Sequence, residues 1–231
     1  MNKRNAAARP LLVVALALVG AAGCGNGDNG NPRYEVALTN LTHNQPLTPP
    51  AAILHGSGFS AWTEGEPAGT PLERLAEGGK TGPFIQMAQG SPEVRSTSAA
   101  DGGVGPGETR TLSLNAGSRA GLRLSVVSML ARTNDAFTGT AAQPIGDLEA
   151  GEAMVVYAAA WDAGTEADTE TAATVPGLGG EGFNTARDDG LDAVTVHPGV
   201  VTADDGLASS DLGEADRFIG PVVRLRITRL R

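Results

Sequence analysis

The chain is 231 residues long with a formal net charge of −9, and phosphate surfaces repel such a protein, which argues against nucleic acid or anionic lipid as its main partner. Glycine (32) and proline (14) are abundant and aromatics make up only 4%, a composition suited to many turns and short strands rather than long helices. Cys24 is the only cysteine, so no internal disulfide can form.

Lys3, Arg4 and Arg9 precede an apolar run from Leu11 to Ala22 that ends at Gly23-Cys24. This is the charged, apolar, small-residue order of a secretory signal, and the run is too short to cross a bilayer as a mature helix. Cys24 follows Ala21-Ala22-Gly23 and resembles the lipobox of bacterial lipoproteins, in which the thiol is acylated and becomes the new N-terminus. Ala21 stands where leucine is usual, so ordinary signal cleavage nearby is the alternative. Either route implies export. Gly25, rather than Asp, follows the cysteine, and by resemblance to sorting signals of two-membrane bacteria this implies an outer-membrane lipoprotein facing the periplasm or the surface. Removing Lys3, Arg4 and Arg9 from 17 basic residues, against 26 acidic ones, takes the net charge from −9 to −12.

Residues 25–33 read as a flexible polar linker, and residues 34–231 as one domain. Tyr34–Asn40 alternates with a period of two and forms the first expected strand. Further strands are expected at Ala51–His55, Glu93–Ser98, Thr109–Asn115, Gly121–Ala131, Ala153–Ala160, Ala193–His197 and Val222–Leu230. The turn-rich Asp101–Gly107 reads as a hairpin-like connection. One helical excursion is expected, capped by Thr70, entered through Pro71 and ending at Gly78-Gly79, with a further turn over Pro83–Met87. About eight strands with one short helical excursion describe an all-β, antiparallel β-sandwich. Thr165–Asp189 is long, glycine-rich and acidic, the kind of loop that is functional or mobile.

Gly177-Leu-Gly179-Gly-Glu-Gly182 has the spacing of a dinucleotide-binding loop but lacks the strand before it and the helix after it that would aim amides at a pyrophosphate. His43, His55 and His197 are too scattered for a zinc pair, no serine lies in a nucleophile elbow, and His197-Pro-Gly199 reads as a turn. The informative acids follow the two most hydrophobic strands: Asp135 in Thr133–Phe137, and Asp162 and Glu166 in Trp161–Glu166. Were those strands neighbours, the two loops would emerge at one end and the three carboxylates would converge. Carboxylates that close repel one another unless a cation lies between them, and a hard cation with about six to eight oxygen ligands suits them best. Gly164 allows the turn that brings Asp162 and Glu166 to the same ion. The alternatives are solvated loop acids, or a carboxylate pair for glycoside hydrolysis, against which two Trp and two Tyr in all are poor material for a sugar-stacking cleft.

Thr133-Asn-Asp-Ala-Phe137 followed by Tyr157-Ala-Ala-Ala-Trp161-Asp-Ala-Gly-Thr-Glu166 resembles the spondin N-terminal domain family, in particular bacterial spondin-domain lipoproteins. Tyr34–Asn40, Gly179–Phe183, His197–Gly199 and Val222–Leu230 fall in the order of that branch. The resemblance implies a C2-like β-sandwich holding Ca2+ at one end, with Asp135, Asp162 and Glu166 as ligands. Animal members usually have Asp where this chain has Glu166. It further implies a binding or adhesion role toward an envelope or extracellular protein or glycan, without catalysis and with the membrane reached through Cys24. The rival expectations are an envelope hydrolase using the same acids and a metal-free structural domain.

Overall fold

Strand β1 (Arg33–Asn40) buries every second residue, and Tyr34, Val36 and Leu38 point inward from it without any exposure. Its partner β10 (Val223–Arg229) alternates in the same way, so Val36 lies opposite Ile227 and Leu38 opposite Leu225. With β4 (Thr109–Asn115) on one side and β7 (Ala153–Ala158) on the other, they make an antiparallel four-stranded sheet in the order β4-β1-β10-β7. The computed structural model describes residues 31–231, so the expected signal, Cys24 and most of the linker lie outside the described residues.

The second sheet has six strands, also antiparallel. Its order is β3 (Val94–Ala99), β2 (Ala51–His55), β5 (Arg123–Met129), β6 (Ala136–Pro144), β8 (Ala160–Asp162) and β9 (Thr195–Val196). Ala52, Leu54, Leu124 and Val126 face the four-stranded sheet and build the main core. The opposite face is covered too: Ile53, Val127, Met129 and Phe137 pack against Leu72, Leu75 and Phe84 of helices α1 (Thr70–Gly78) and α2 (Thr81–Gln89). All five residues of β2 are therefore buried, and the helical excursion is the outer layer of a sandwich. Each fully buried Leu, Ile or Phe contributes about 1.5–3 kcal/mol, so both cores matter to the fold.

The expected all-β sandwich is observed, with ten strands and two helices among the described residues. Several local expectations change. The N-cap of α1 is Gly69, Thr70 being the first helical residue, and no side chain caps it. Asp101–Gly107 crosses from β3 in one sheet to β4 in the other and makes no hairpin; Val104 is stitched to Leu47 on the way. Strand β6 was absent from the expected set, because Ala136–Gly139 is buried on both faces and shows no alternation. The expected strand 153–160 is two strands: the chain leaves the four-stranded sheet after Ala158 and enters the six-stranded one at Ala160. The two hydrophobic strands are thus not neighbours. The convergence of their loops arises otherwise, since β8 pairs with β6 and sets Asp162 opposite Ala136, next to Asp135.

Gly139, in the centre of β6, has φ +140°, and a β-carbon there would lie 1.8 Å from the carbonyl oxygen of Val126. Gly139→Ala is therefore expected to cost more than about 3 kcal/mol of unfolding free energy. Gly82→Ala, in open space on α2, should be neutral or stabilise by up to about 1 kcal/mol. Urea unfolding of the two variants checks the contrast, and equal effects would contradict this account of β6.

Candidate metal centre

Three chain segments meet at one end of the six-stranded sheet. The turn from β5 to β6 supplies Asn134 and Asp135, the exit of β8 supplies Asp162 to Glu170, and the turn after β9 supplies His197. Gly164 makes the β8 exit possible: its φ is +67°, and a β-carbon would sit 2.4 Å from the Ala193 carbonyl oxygen. Its N–H donates to Asp162 Oδ1 at 2.6 Å, which closes the turn.

Asp135 is completely buried and joins two of these segments. Its Oδ2 accepts the backbone N–H of Thr165 (2.7 Å), the backbone N–H of Glu166 (3.1 Å) and the Thr165 hydroxyl (3.1 Å). Its Oδ1 is buried without a hydrogen-bond partner. Burial raises the pKa of Asp135 against those three bonds, and the nearby Asp168 raises it further. Asp162 is pushed up to about 7 by burial first and then by Asp135 and Asp168.

Side-chain atoms of Asp162, Asp168 and His197 all lie within 4.8 Å of one another. Asp168 Oδ1 and His197 Nε2 are 3.7 Å apart, too far for a hydrogen bond, and neither has another partner. His197 Nδ1 accepts the N–H of Gly199 at 3.0 Å, so in the neutral ring Nε2 carries the proton. A metal at Nε2 would displace that proton to Nδ1, where it would face another N–H. In the neutral form His197 points a donor toward the carboxylates. Burial opposes its imidazolium form, but Asp168, Asp162 and Asp135 outweigh burial and raise its pKa. The turn expected at His197-Pro-Gly199 is present, and it aims the ring.

Of the three acids expected from the sequence, Asp135 and Asp162 are brought together. Glu166 turns elsewhere: its Oε1 accepts the side-chain N–H of Asn184 at 3.1 Å, and the charge that acts on it most strongly is Glu77, ahead of Asp135. Asp168, which sequence reasoning missed, stands with Asp162 instead. Glu166, Asp168 and Glu170 recur at every second residue, a signal of an acidic extended run, but which of them faces Asp162 depends on the irregular backbone beyond Gly164. Glu170 is buried, takes φ +56°, accepts the Val201 N–H at 3.1 Å through Oε1, and is pushed up to about 7 by burial.

Carboxylate oxygens of Asp162 and Asp168 lie within 4.8 Å of each other and Asp135 acts on Asp162 as a neighbouring charge; oxygen ligands of this kind suit a hard cation. No ion pair with Lys or Arg reaches any of the three among the described residues. No protein-family model matches the chain, and a search of the curated proteins finds no significant match.

Carboxyls raised this far reverse the usual acid lability. Asp162 moves from 3.8 to about 7, Glu77 from 4.5 to about 7 and Glu166 from 4.5 to about 8, so between those limits the folded chain binds more protons than the unfolded one. Their stabilising effect is complete below the unfolded values and is lost as the pH rises through 7 to 8. In chelator, the thermal midpoint is expected to fall as the pH rises from about 5 to about 8. Millimolar calcium should flatten the profile, and a midpoint in chelator that rises across this range would refute the electrostatic assignment.

Proposed function

We propose that the chain is an exported, lipid-anchored β-sandwich protein that holds calcium at one end of the sandwich and serves binding or adhesion in the cell envelope. The observation that carries this reading is the set of buried carboxylate oxygens, Asp135 Oδ1 and Asp168 Oδ1, that find no partner beside Asp162. Buried charge must be neutralised, paired or coordinate a metal, and here, among the described residues, no Lys or Arg is paired with it. The proton carried on His197 Nε2 favours calcium over zinc, because zinc prefers nitrogen or sulfur ligands in a tetrahedral shell. Calcium would neutralise Asp135, Asp162 and Asp168, with backbone carbonyls and waters completing its shell, and would fix the loop from Thr165 onward. An extracellular module needs only a Kd of about 10⁻⁴ to 10⁻³ M for this.

A recognition role draws support from a groove of about 450 Å³ on the β6–β7–β8 side, whose lining includes none of Asp135, Asp162 and Asp168. Both tryptophans, Trp62 and Trp161, line it together with Tyr157, which is 61% exposed. Three of the four tryptophans and tyrosines, too few in the sequence to suggest a stacking surface, are thus gathered at one place. Flat apolar faces beside Glu64, Thr140 and Gln143 suit a glycan partner. The same layout speaks against the hydrolase alternative, since the groove contains none of the clustered carboxylates.

The test is thermal unfolding of the purified protein with calcium, magnesium, zinc and chelator. Calcium at about 100 times its Kd should stabilise by about 2.7 kcal/mol, and zinc should add no comparable shift. Asp162→Asn and Asp135→Asn should lower the calcium effect. No shift at millimolar calcium, or a larger one with zinc, defeats the metal assignment. In a bacterial host the protein should partition with membranes, and Cys24→Ser should release it; retention of the variant on membranes would count against the lipid anchor.

A further inference from the structure

Helix α1 carries two buried glutamates one turn apart, and they are treated differently. Glu73 is held in a two-pronged ion pair by Arg187, whose Nη2 lies 2.8 Å from Oε2 and whose Nε lies 3.2 Å from Oε1. Glu77, only 1% exposed, has no such partner. Its Oε2 accepts the backbone N–H of Asn184 at 3.2 Å, and its Oε1 is buried without a hydrogen bond. The Thr165 hydroxyl lies near it, but its single proton goes to Asp135 Oδ2.

Facing Glu77 across Asn184 is Glu166. The Asn184 side-chain N–H donates to Glu166 Oε1, while Glu166 Oε2 is buried and unpartnered. Two carboxylates, both more than nine-tenths buried, therefore hold the same residue, and each keeps one buried oxygen without a partner. The charges acting most strongly on Glu166 are acidic: Glu77, Asp135, Asp188 and Glu181. Glu77 also sits in the last turn of α1, where the helix dipole disfavours negative charge. The nearby arginines are committed elsewhere, Arg187 to Glu73 and Asp192 and Arg74 to the face of Phe183 at 4.0 Å.

We propose that Glu77 and Glu166 form a second calcium site, separate from the Asp162 cluster, that ties the C-terminal end of α1 to the acidic loop. The two sites share a wall, because the backbone N–H of Glu166 and the Thr165 hydroxyl both bind Asp135. Calcium fits better than magnesium, since two flexible glutamate arms and an irregular loop suit its larger, adaptable shell. The ion does at Glu77 what Arg187 does at Glu73.

The experiment counts ions. Protein stripped with chelator is titrated with calcium, and bound ions are counted by native mass spectrometry in wild type, Glu77→Gln, Glu166→Gln, Asp162→Asn and the Glu77→Gln/Asp162→Asn double variant. Two ions are expected in wild type, one in each single variant and none in the double, with the lost site weakened at least about tenfold. Glu166→Gln should behave as Glu77→Gln does: calcium remains in that pair of variants and is lost when Asp162→Asn is added. The two glutamine variants lie on different elements, so a folding defect at one does not remove the test. One ion that survives Glu77→Gln and is lost in Asp162→Asn overturns the second site and leaves the Asp162 centre standing. One ion lost in Glu77→Gln but kept in Asp162→Asn does the reverse. A single ion lost in every variant means one shared site and overturns the separation, and no calcium in wild type overturns both.

Discussion

The end of the sandwich that matters is organised around one buried carboxylate. Asp135 has one oxygen saturated by three donors from Thr165 and Glu166, and this bond set joins the β5–β6 turn to the exit of β8 across 30 residues of sequence. A carboxylate with two or three backbone donors is ordinarily a strong acid, but complete burial overrides them here and raises the pKa of Asp135. The loop from Thr165 onward is therefore positioned by a group whose charge is expensive to keep. Its second oxygen remains without a partner, and that deficit is what a cation would remove.

The route of the chain explains why so many acids meet at this point. The strand that begins at Ala153 would carry Asp162 to the far end of the four-stranded sheet if it stayed there. It crosses after Ala158 instead, so Trp161 packs edge-on against Trp62 over the second core, with ring centroids 5.9 Å apart, and Asp162 arrives beside β6. Apolar burial sets the crossing, and the crossing sets the charge cluster. The hydrophobic effect is non-directional, so only the pairing of β8 with β6 fixes the register that brings Asp162 next to Asp135.

The sequence made some of this readable and hid the rest for definite reasons. Strand β4 is read residue for residue at Thr109–Asn115, and β1 and β10 to within one residue at each end, because one-sided burial writes alternation into the chain. Strand β6 starts buried on both faces, as β2 is, but is made of Ala, Thr, Gly and Phe rather than the apolar run that marks β2 at Ala51–His55, which removes both signals. The break at Ala158-Ala159-Ala160 carries no turn residue and is decided by packing between the sheets. Asp135 and Asp162 are readable as strand-end acids followed by turn chemistry. The direction of Glu166 was not readable, because it depends on Glu77, 89 positions earlier on a helix whose own pattern reads only as amphipathic. His197 was readable as a turn residue, whereas its proximity to Asp168 requires knowing that β9 pairs with β8.

The two kinds of interaction divide the work of stability. The cores between the sheets and beneath the helices bury Leu, Ile, Val and Phe without reference to any acid, so neutralising or removing a carboxylate leaves the strands paired. Apart from Val175 and Leu178, which pack on the main core, the loop from Thr165 to Asp192 is held by polar anchors, chiefly Asp135 to Thr165, Asp188 to Ala167, and Arg187 to Glu73. Segments with few apolar contacts open at lower free energy than the core they cover. Each unpaired buried carboxylate lowers that free energy further, because opening the loop returns the charge to water. A cation bound among those carboxylates reverses the sign of the contribution, turning the groups that loosen the loop into the ones that fasten it. On the proposed reading, the acids would make loop order, and not the fold, conditional on a bound cation.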